Sequence, residues 1–284
     1  MSDKALGVVK PYRKIVLSGN VVEVYEMEST PHNIRTEKLL SDVEWVWDLQ
    51  MGEYQRAAEE KAIAAENFAK LDKATQDWWL EQCKHSEFGK LQKNIMRTRN
   101  MVRRLILSNF DSTAKFWTFT FDDNKVPPEI SRSIEGSNGL WKTFMQRMRR
   151  KYPEFKYLAV LEFQKRGAVH YHCLCDLPFV RQRVVQEIWG NGFVSVNRIK
   201  HVDNLGAYVV KYMTKELTDE RFFGSKLYQC SKGLDRPVEY RGEMADRMVA
   251  ALDLSQKKEV FTNSYGSEYL GQITYKEYNL LREK

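Results

Sequence analysis

The 284-residue chain contains 43% apolar, 29% charged and 12% aromatic residues. This composition excludes collagen-like, low-complexity and disulfide-scaffold proteins, and the length allows one or two domains with a sizeable hydrophobic core. Lys and Arg outnumber Asp and Glu by 45 to 38, which gives a net charge of +7. A positive chain often has a polyanionic partner, although many ordinary proteins are equally basic.

The four cysteines are too few for a disulfide framework at this length, and they therefore indicate a reducing compartment. The N-terminus has no apolar segment with a small-residue cleavage site, which argues against a secretory signal. No stretch approaches the roughly 18 uncharged apolar residues of a membrane span. We expect a cytoplasmic protein with no membrane partner.

The first third of the chain reverses its charge. Residues 42–83 contain ten acidic and four basic side chains, whereas residues 84–104 contain seven basic side chains and Glu87 as the single acid. Both segments lack Pro and consist mostly of good helix formers, which predicts helices over about 39–106. The basic run is either a solvated helix face or a surface that contacts phosphates, and the reversal favours the second because seven neighbouring cations need a compensating anion. The candidate phosphate contacts here are Lys93, Arg97, Arg103 and Arg104.

A different pattern begins after residue 109. Aromatic and β-branched residues alternate over 115–121, which predicts a strand, and a helical apolar stripe follows over 140–151. The polar face of that helix adds Arg147 and Arg150 as candidate phosphate contacts. The remaining predicted elements are strands over 157–163, 168–175 and 193–200 and helices over 179–189 and 204–215.

The order β-α-β-β-α-β predicts an α+β fold, a ferredoxin-like or RRM-like antiparallel sheet whose first and third strands lie in the middle. The predicted domains are an N-terminal helical region (1–108), the βαββαβ domain (109–217) and a C-terminal extension of unclear role (218–284). No phosphate-binding loop of the G-x-x-x-x-G-K-[ST] type is present, so we infer neither a fused helicase nor a small-molecule cofactor.

Three side chains are predicted to converge on one face of the sheet. His170 and His172 are two residues apart on a strand, so both imidazoles point to the same side. If residues 165–167 form a three-residue hairpin loop, Glu162 lies directly opposite His170 and shares that side. Two imidazoles and a carboxylate suit Mn²⁺ or Mg²⁺, although this ligand set does not exclude Zn²⁺ or Fe²⁺.

The same pattern also has a purely structural interpretation, in which the two histidines are buried and hydrogen-bonded without a metal. The neighbouring Cys173 and Cys175 have the opposite parity on the strand. They should point to the other face as small core residues and not serve as zinc ligands.

The last predicted helix carries a stripe of tyrosines and lysines. Tyr208, Lys211, Tyr212 and Lys215 are spaced i, i+3, i+4 and i+7, so they share one helix face. The stripe is either a snorkelling surface face or a chemical site. Tyrosine can act as a covalent nucleophile, and nearby ammonium groups favour the phenolate and can neutralise a phosphate.

Three ordered motifs resemble those of the HUH endonucleases, the superfamily of rolling-circle replication initiators, relaxases and single-strand transposases. They are the strand FWTFTF (116–121), the triplet at 170–172 and the helix YVVKYMTK (208–215). The helix is similar to the two-tyrosine form found in initiators of small single-stranded-DNA phages and some plasmids. The resemblance covers residues 110–217, and Tyr171 departs mildly from the bulky apolar residue usual in the middle of the triplet.

The resemblance implies a metal-dependent endonuclease that nicks and rejoins single-stranded DNA, or an origin hairpin, through a 5′-phosphotyrosine link. The free 3′-OH would prime synthesis, and the second tyrosine could cleave again and release a circle. A host helicase and replication machinery are the implied partners. Carried over residue by residue, the metal ligands are Glu162, His170 and His172, and the nucleophiles with their lysines are Tyr208, Tyr212, Lys211 and Lys215.

Two alternatives remain open from the sequence. A relaxase or single-strand transposase would use the same chemistry, although the order of histidines first and paired tyrosines later favours the initiator. A non-catalytic βαββαβ nucleic-acid-binding module would present the aromatics of 116–121 on an open sheet face.

Overall fold

The structure is a computed structural model that describes residues 11–29 and 91–283, apart from 92, 199–204, 214–218, 223 and 268–269. Its strands are β1 (Tyr12–Ser18), β2 (Val21–Met27), β3 (Lys115–Phe119), β4 (Tyr157–Phe163), β5 (Val169–Cys175), β6 (Val194–Arg198), β7 (Tyr228–Cys230), β8 (Val238–Arg241), β9 (Lys257–Ser267) and β10 (Gly271–Glu283). Its helices are α1 (93–109), α2 (Pro128–Ser131), α3 (Ile134–Lys151), α4 (Gln182–Trp189), α5 (Leu205–Val210) and α6 (Glu243–Ala251), with 3₁₀ turns at Lys211–Met213 and Glu220–Phe222.

Five strands form an antiparallel sheet in the order β6-β3-β5-β4-β7, here named sheet I. The prediction that the first and third strands of the βαββαβ unit are central is confirmed, because β3 and β5 occupy the middle. The α+β class is confirmed as well. Strand β7, which the sequence did not reveal, pairs with the outer edge of β4.

Strand alternation gives sheet I two covered faces. On one face, Phe119 and Tyr171 pack against Trp141 of α3 and Trp189 of α4. On the other face, Phe116, Val160 and Leu174 belong to a separate cluster with α1 and α5. Cys173 and Cys175 lie buried on the α3 side, as their parity predicted.

Two helix boundaries differ from the predicted ones. Helix α3 begins at Ile134 and not at residue 140, because the Ser133 side chain caps it by accepting a hydrogen bond from Gly136 N at 3.2 Å. Helix α4 begins at Gln182, three residues later than predicted, and ends at Gly190, whose φ of +71° suits a left-handed helix terminus. The apolar stripe shows which helix face is buried but does not specify where the first turn begins.

The first and last parts of the chain together form a second antiparallel sheet, in the order β8-β1-β2-β10-β9 and here named sheet II. This corrects the prediction of a helical region across 1–108, since residues 12–27 form a β-hairpin. The physical reason is local: apolar and polar residues alternate on both sides of Gly19, which takes a φ of +56° at the turn. The predicted helices before residue 91 lie outside the described residues, whereas the predicted helical end of that segment is confirmed by α1.

The two faces of sheet II have different neighbours. Ile15, Val22 and Val24 form a small apolar core with Ala245 of α6 and with Leu254. The opposite face approaches α1 through charged groups of both elements.

Arg103 and Arg104 of α1 pair with carboxylates of sheet II. Arg103 contacts Glu23 at 3.0 Å and Glu277 at 2.5 Å, and Arg104 contacts Glu23 at 2.5 Å. The arginine side chains are only 14% exposed. Their predicted role as phosphate contacts is therefore replaced by ion pairs within the protein, and these carboxylates supply part of the compensating negative charge that the basic run requires. Among the described residues, no helix is long and apolar enough to cross a membrane.

Candidate functional site

Strands β4 and β5 bring Glu162, His170 and His172 to one face of sheet I. The hairpin has the predicted register, with Glu162 opposite His170 and Gly167 at a φ of +89° in the loop. A Glu162 carboxylate oxygen lies 2.6 Å from His172 Nε2, and both side chains are buried. The rings of His170 and His172 are nearly perpendicular, with centroids 5.9 Å apart. The predicted convergence of these three side chains is present.

Both nitrogens of the His172 ring have partners. Nε2 faces Glu162, and Nδ1 lies 3.2 Å from the hydroxyl of Thr118, the residue opposite His172 on β3. Two such contacts fix the plane and direction of an imidazole ring. Among the described residues, no group of three or more His, Cys, Asp or Glu is arranged so that it could hold a metal ion. In this conformation Glu162 and His172 bind each other.

The segment with the tyrosines is a helix of two kinds. Helix α5 ends at Val210 and tightens into a 3₁₀ turn over Lys211–Met213, so the predicted continuous α-helix over 204–215 is shorter than expected. Its buried side chains include Val209, Val210 and Met213, which face sheet I. Lys215 lies outside the described residues.

Tyr208 and Tyr212 nevertheless remain neighbours. The Tyr212 hydroxyl donates to the Tyr208 hydroxyl at 3.5 Å, and the Lys211 ammonium lies 3.8 Å from the centre of the Tyr208 ring. The Tyr212 ring stacks on the His172 ring with centroids 3.9 Å apart. The tertiary structure therefore places the tyrosine segment directly against the His–Glu cluster.

The environment of Tyr212 opposes ionisation. Burial is the largest cause of its raised pKa, followed by the Tyr208 hydroxyl and the negative charge of Glu162. This differs from the expectation that neighbouring lysines favour the phenolate, because Lys211 lies against the ring faces and Tyr212 shares its hydroxyl with Tyr208. The phenol therefore keeps its proton at neutral pH.

Phe116 is a site residue that sequence reasoning placed only in a strand motif. Its ring centroid lies 5.8 Å from that of His172, 5.3 Å from Tyr208 and 5.6 Å from Tyr212, and its side chain is buried. The signal was the parity of β3, which puts Phe116 and Thr118 on the same face as the histidines. The ring orients both tyrosines and the imidazole.

A glycine lets the tyrosine helix approach α1. A Cβ at Gly206 would lie 2.7 Å from the Arg103 carbonyl oxygen, which is backbone and cannot swing away. We expect Gly206→Ala to lower the free energy of unfolding by about 1–3 kcal/mol, the usual range for overpacking, in urea denaturation.

The matched control for this substitution is Gly139→Ala, also within a helix, where nothing lies within 4 Å of the added Cβ. This second change should stabilise the protein by about 0.5–1 kcal/mol, because alanine loses less backbone entropy than glycine on folding. Equal effects of the two substitutions would contradict the close approach.

The other predicted phosphate contacts do not join this cluster. Lys93 and Arg97 are exposed on α1. Arg147 and Arg150 are exposed on α3, which covers the opposite face of sheet I from the histidines. Their contact with DNA stays a prediction.

Comparisons with curated proteins and with solved structures found no significant match. Residues 114–217 match the model of a family described as replication-associated protein ORF2. The matched segment begins at β3 and extends through the histidine strand and the tyrosine helix, which are the elements that build the site. The match supports a DNA-replication protein of the rolling-circle initiator kind.

Proposed function

We propose that this chain nicks and rejoins single-stranded DNA at a replication origin, with a tyrosine of the α5 segment as the nucleophile. The observation that carries the proposal is the 3.9 Å stacking of Tyr212 on His172, which is itself bonded to Glu162. A phenol, a second phenol and an ammonium group thus stand beside a His–Glu cluster. The family match at residues 114–217 supports a role in replication.

In the proposed reaction, a tyrosine oxygen attacks the scissile phosphorus and the bond from phosphorus to the 3′ oxygen breaks. The products are a 5′-phosphotyrosine and a free 3′-OH, so one phosphodiester replaces another and rejoining needs no ATP. Because burial raises the pKa of Tyr212, its proton has to leave as the new P–O bond forms. Lys211, whose ammonium lies beside both rings, is the group available to neutralise the phosphate.

The proposed metal ligands are Glu162, His170 and His172, and the likeness is in donor chemistry: two imidazoles and a carboxylate on one sheet face suit Mn²⁺ or Mg²⁺. Binding a cation requires the direct contact between Glu162 and His172 to open. A divalent cation supplies Lewis-acid polarisation of a phosphoryl oxygen.

Thr118 tests the metal proposal through a residue that only positions a ligand. We expect Thr118→Val to weaken Mn²⁺ binding by about 10- to 100-fold in calorimetry, because its hydroxyl contacts the rear nitrogen of His172. Thr118→Ser keeps the hydroxyl and should bind nearly as well as the unmodified protein. Unchanged binding by the valine variant would argue against His172 as a ligand.

The nicking proposal is tested by incubating the full chain with single-stranded circular DNA and Mn²⁺, followed by digestion and mass spectrometry. The expected product is a peptide with a nucleotide attached to Tyr208 or Tyr212. Binding of DNA without any covalent adduct would instead identify a non-catalytic binding module.

A further inference from the structure

Sheet II carries a row of aromatic rings that the proposed reaction does not use. Tyr25 and Tyr275 are directly opposed on β2 and β10, with ring centroids 5.0 Å apart. Phe261 on β9 follows at 5.9 Å from Tyr275, and Tyr265 lies on the same face further along β9. The side chains of Phe261 and Tyr265 are 52% and 44% exposed, so much of both rings is accessible.

This face of sheet II, together with α1 and α5, lines a cleft of about 760 Å³. The cleft extends to Ala207 and Val210, which flank the tyrosines on the α5 segment. Its described lining includes three arginines and three amide side chains: Arg99, Arg103, Arg282, Asn100, Asn263 and Asn279. The aromatic row and the tyrosine segment therefore border the same space.

The charges in the cleft favour an anionic ligand. Its two carboxylates, Glu23 and Glu277, are buried, pair with arginines of α1 and accept hydrogen bonds from the Tyr275 hydroxyl at 3.0 and 2.9 Å. Arg99 and Arg282 add positive charge to the lining. The Arg99 Nε is buried and has no hydrogen-bond partner among the described residues, so this donor is available for a ligand.

Aromatic faces combined with arginines and amides are the chemistry that binds unpaired nucleic acid, since bases stack on the rings and the cations follow the backbone. A double helix keeps its base faces stacked internally and cannot use such a row. We propose that the cleft binds a stretch of unpaired DNA beside the scissile phosphate, with bases stacked on Phe261, Tyr265 and Tyr275. The proposal deepens and rests on the proposed function, because the bound strand would lead to the α5 segment.

The test measures binding without cleavage, in the full chain carrying Tyr208→Phe and Tyr212→Phe. The probe is a fluorescent oligothymidylate of about 20 nucleotides, because stacking tolerates any sequence. Adding Phe261→Ala and Tyr265→Ala should weaken binding by roughly tenfold or more in fluorescence anisotropy. Phe261→Tyr with Tyr265→Phe keeps both rings and should bind as tightly as the parent, which separates loss of stacking from loss of folding.

Phe179→Ala is the matched control, because Phe179 is 87% exposed and precedes α4 on the other side of sheet I. It should leave the affinity unchanged. An alanine pair that binds within twofold of the parent would overturn the proposal, as would a duplex of equal length that competes as well as the single strand. If the unmodified chain forms no covalent adduct but the alanine pair still loses affinity, nicking fails and the DNA-binding cleft stands.

Discussion

Replacing Tyr208 and Tyr212 together by phenylalanine is expected to lower the rate of covalent adduct formation by at least about 1,000-fold, the scale seen when an enzyme loses its nucleophile. Only two hydroxyls are removed, and the rings that stack on His172 and Phe116 remain. The affinity for single-stranded DNA should therefore stay within about twofold, since the aromatic contacts are kept. The measurements are gel analysis of a labelled oligonucleotide and anisotropy.

The control for this prediction is Tyr171→Phe. The Tyr171 hydroxyl donates to the Asn138 side chain at 2.9 Å on the opposite side of sheet I, away from the proposed nucleophiles. This variant should form adducts at close to the unmodified rate. Undiminished nicking by the double variant would refute the assignment of the nucleophiles, whichever of the two tyrosines attacks first.

Replacing Arg103 by methionine is expected to lower the free energy of unfolding by about 3–5 kcal/mol, the usual cost of removing one partner of a buried ion pair. The variant leaves Glu277 without its 2.5 Å partner and removes one of two guanidiniums from Glu23. Methionine keeps the unbranched apolar stem, so the loss reports mainly on charge. Urea denaturation measures it.

Arg183→Met provides the contrast. Arg183 pairs with Glu187 one helical turn away, but both side chains are largely exposed, at 89% and 60%. Removing this pair should cost at most about 0.5 kcal/mol. A similar, small loss for both variants would show that the link from α1 to sheet II contributes little to stability.

The same substitution discriminates between two roles for Arg103. If the guanidinium contacted a DNA phosphate, its loss would reduce the slope of log affinity against log salt by about one. The buried ion pairs instead predict an unchanged slope. Lys93 and Arg97, which are exposed on the same helix, are better candidates for that effect.

Where the controlling interactions are local in the chain, the sequence was sufficient. A three-residue loop and the two-residue period of β-strands placed Glu162 opposite His170, and the same parity separated the histidines from Cys173 and Cys175. The hairpin over 12–27 carried an equally local signal, alternation around Gly19, and could have been predicted. The end of the α5 segment was harder, since a 3₁₀ turn and an α-helix share nearly the same side-chain spacing.

Contacts between distant parts of the chain were decided only by the tertiary structure. Strand β10 pairs with β2, and Arg103 meets Glu277, across most of the sequence. Neither contact follows from periodicity, because a charged residue on a helix face reads the same whether water, DNA or another protein segment faces it. The raised pKa of Tyr212 likewise follows from burial and from Glu162, a neighbour on another element. Spacing along the chain determines which side chains share a face, whereas packing determines what that face meets.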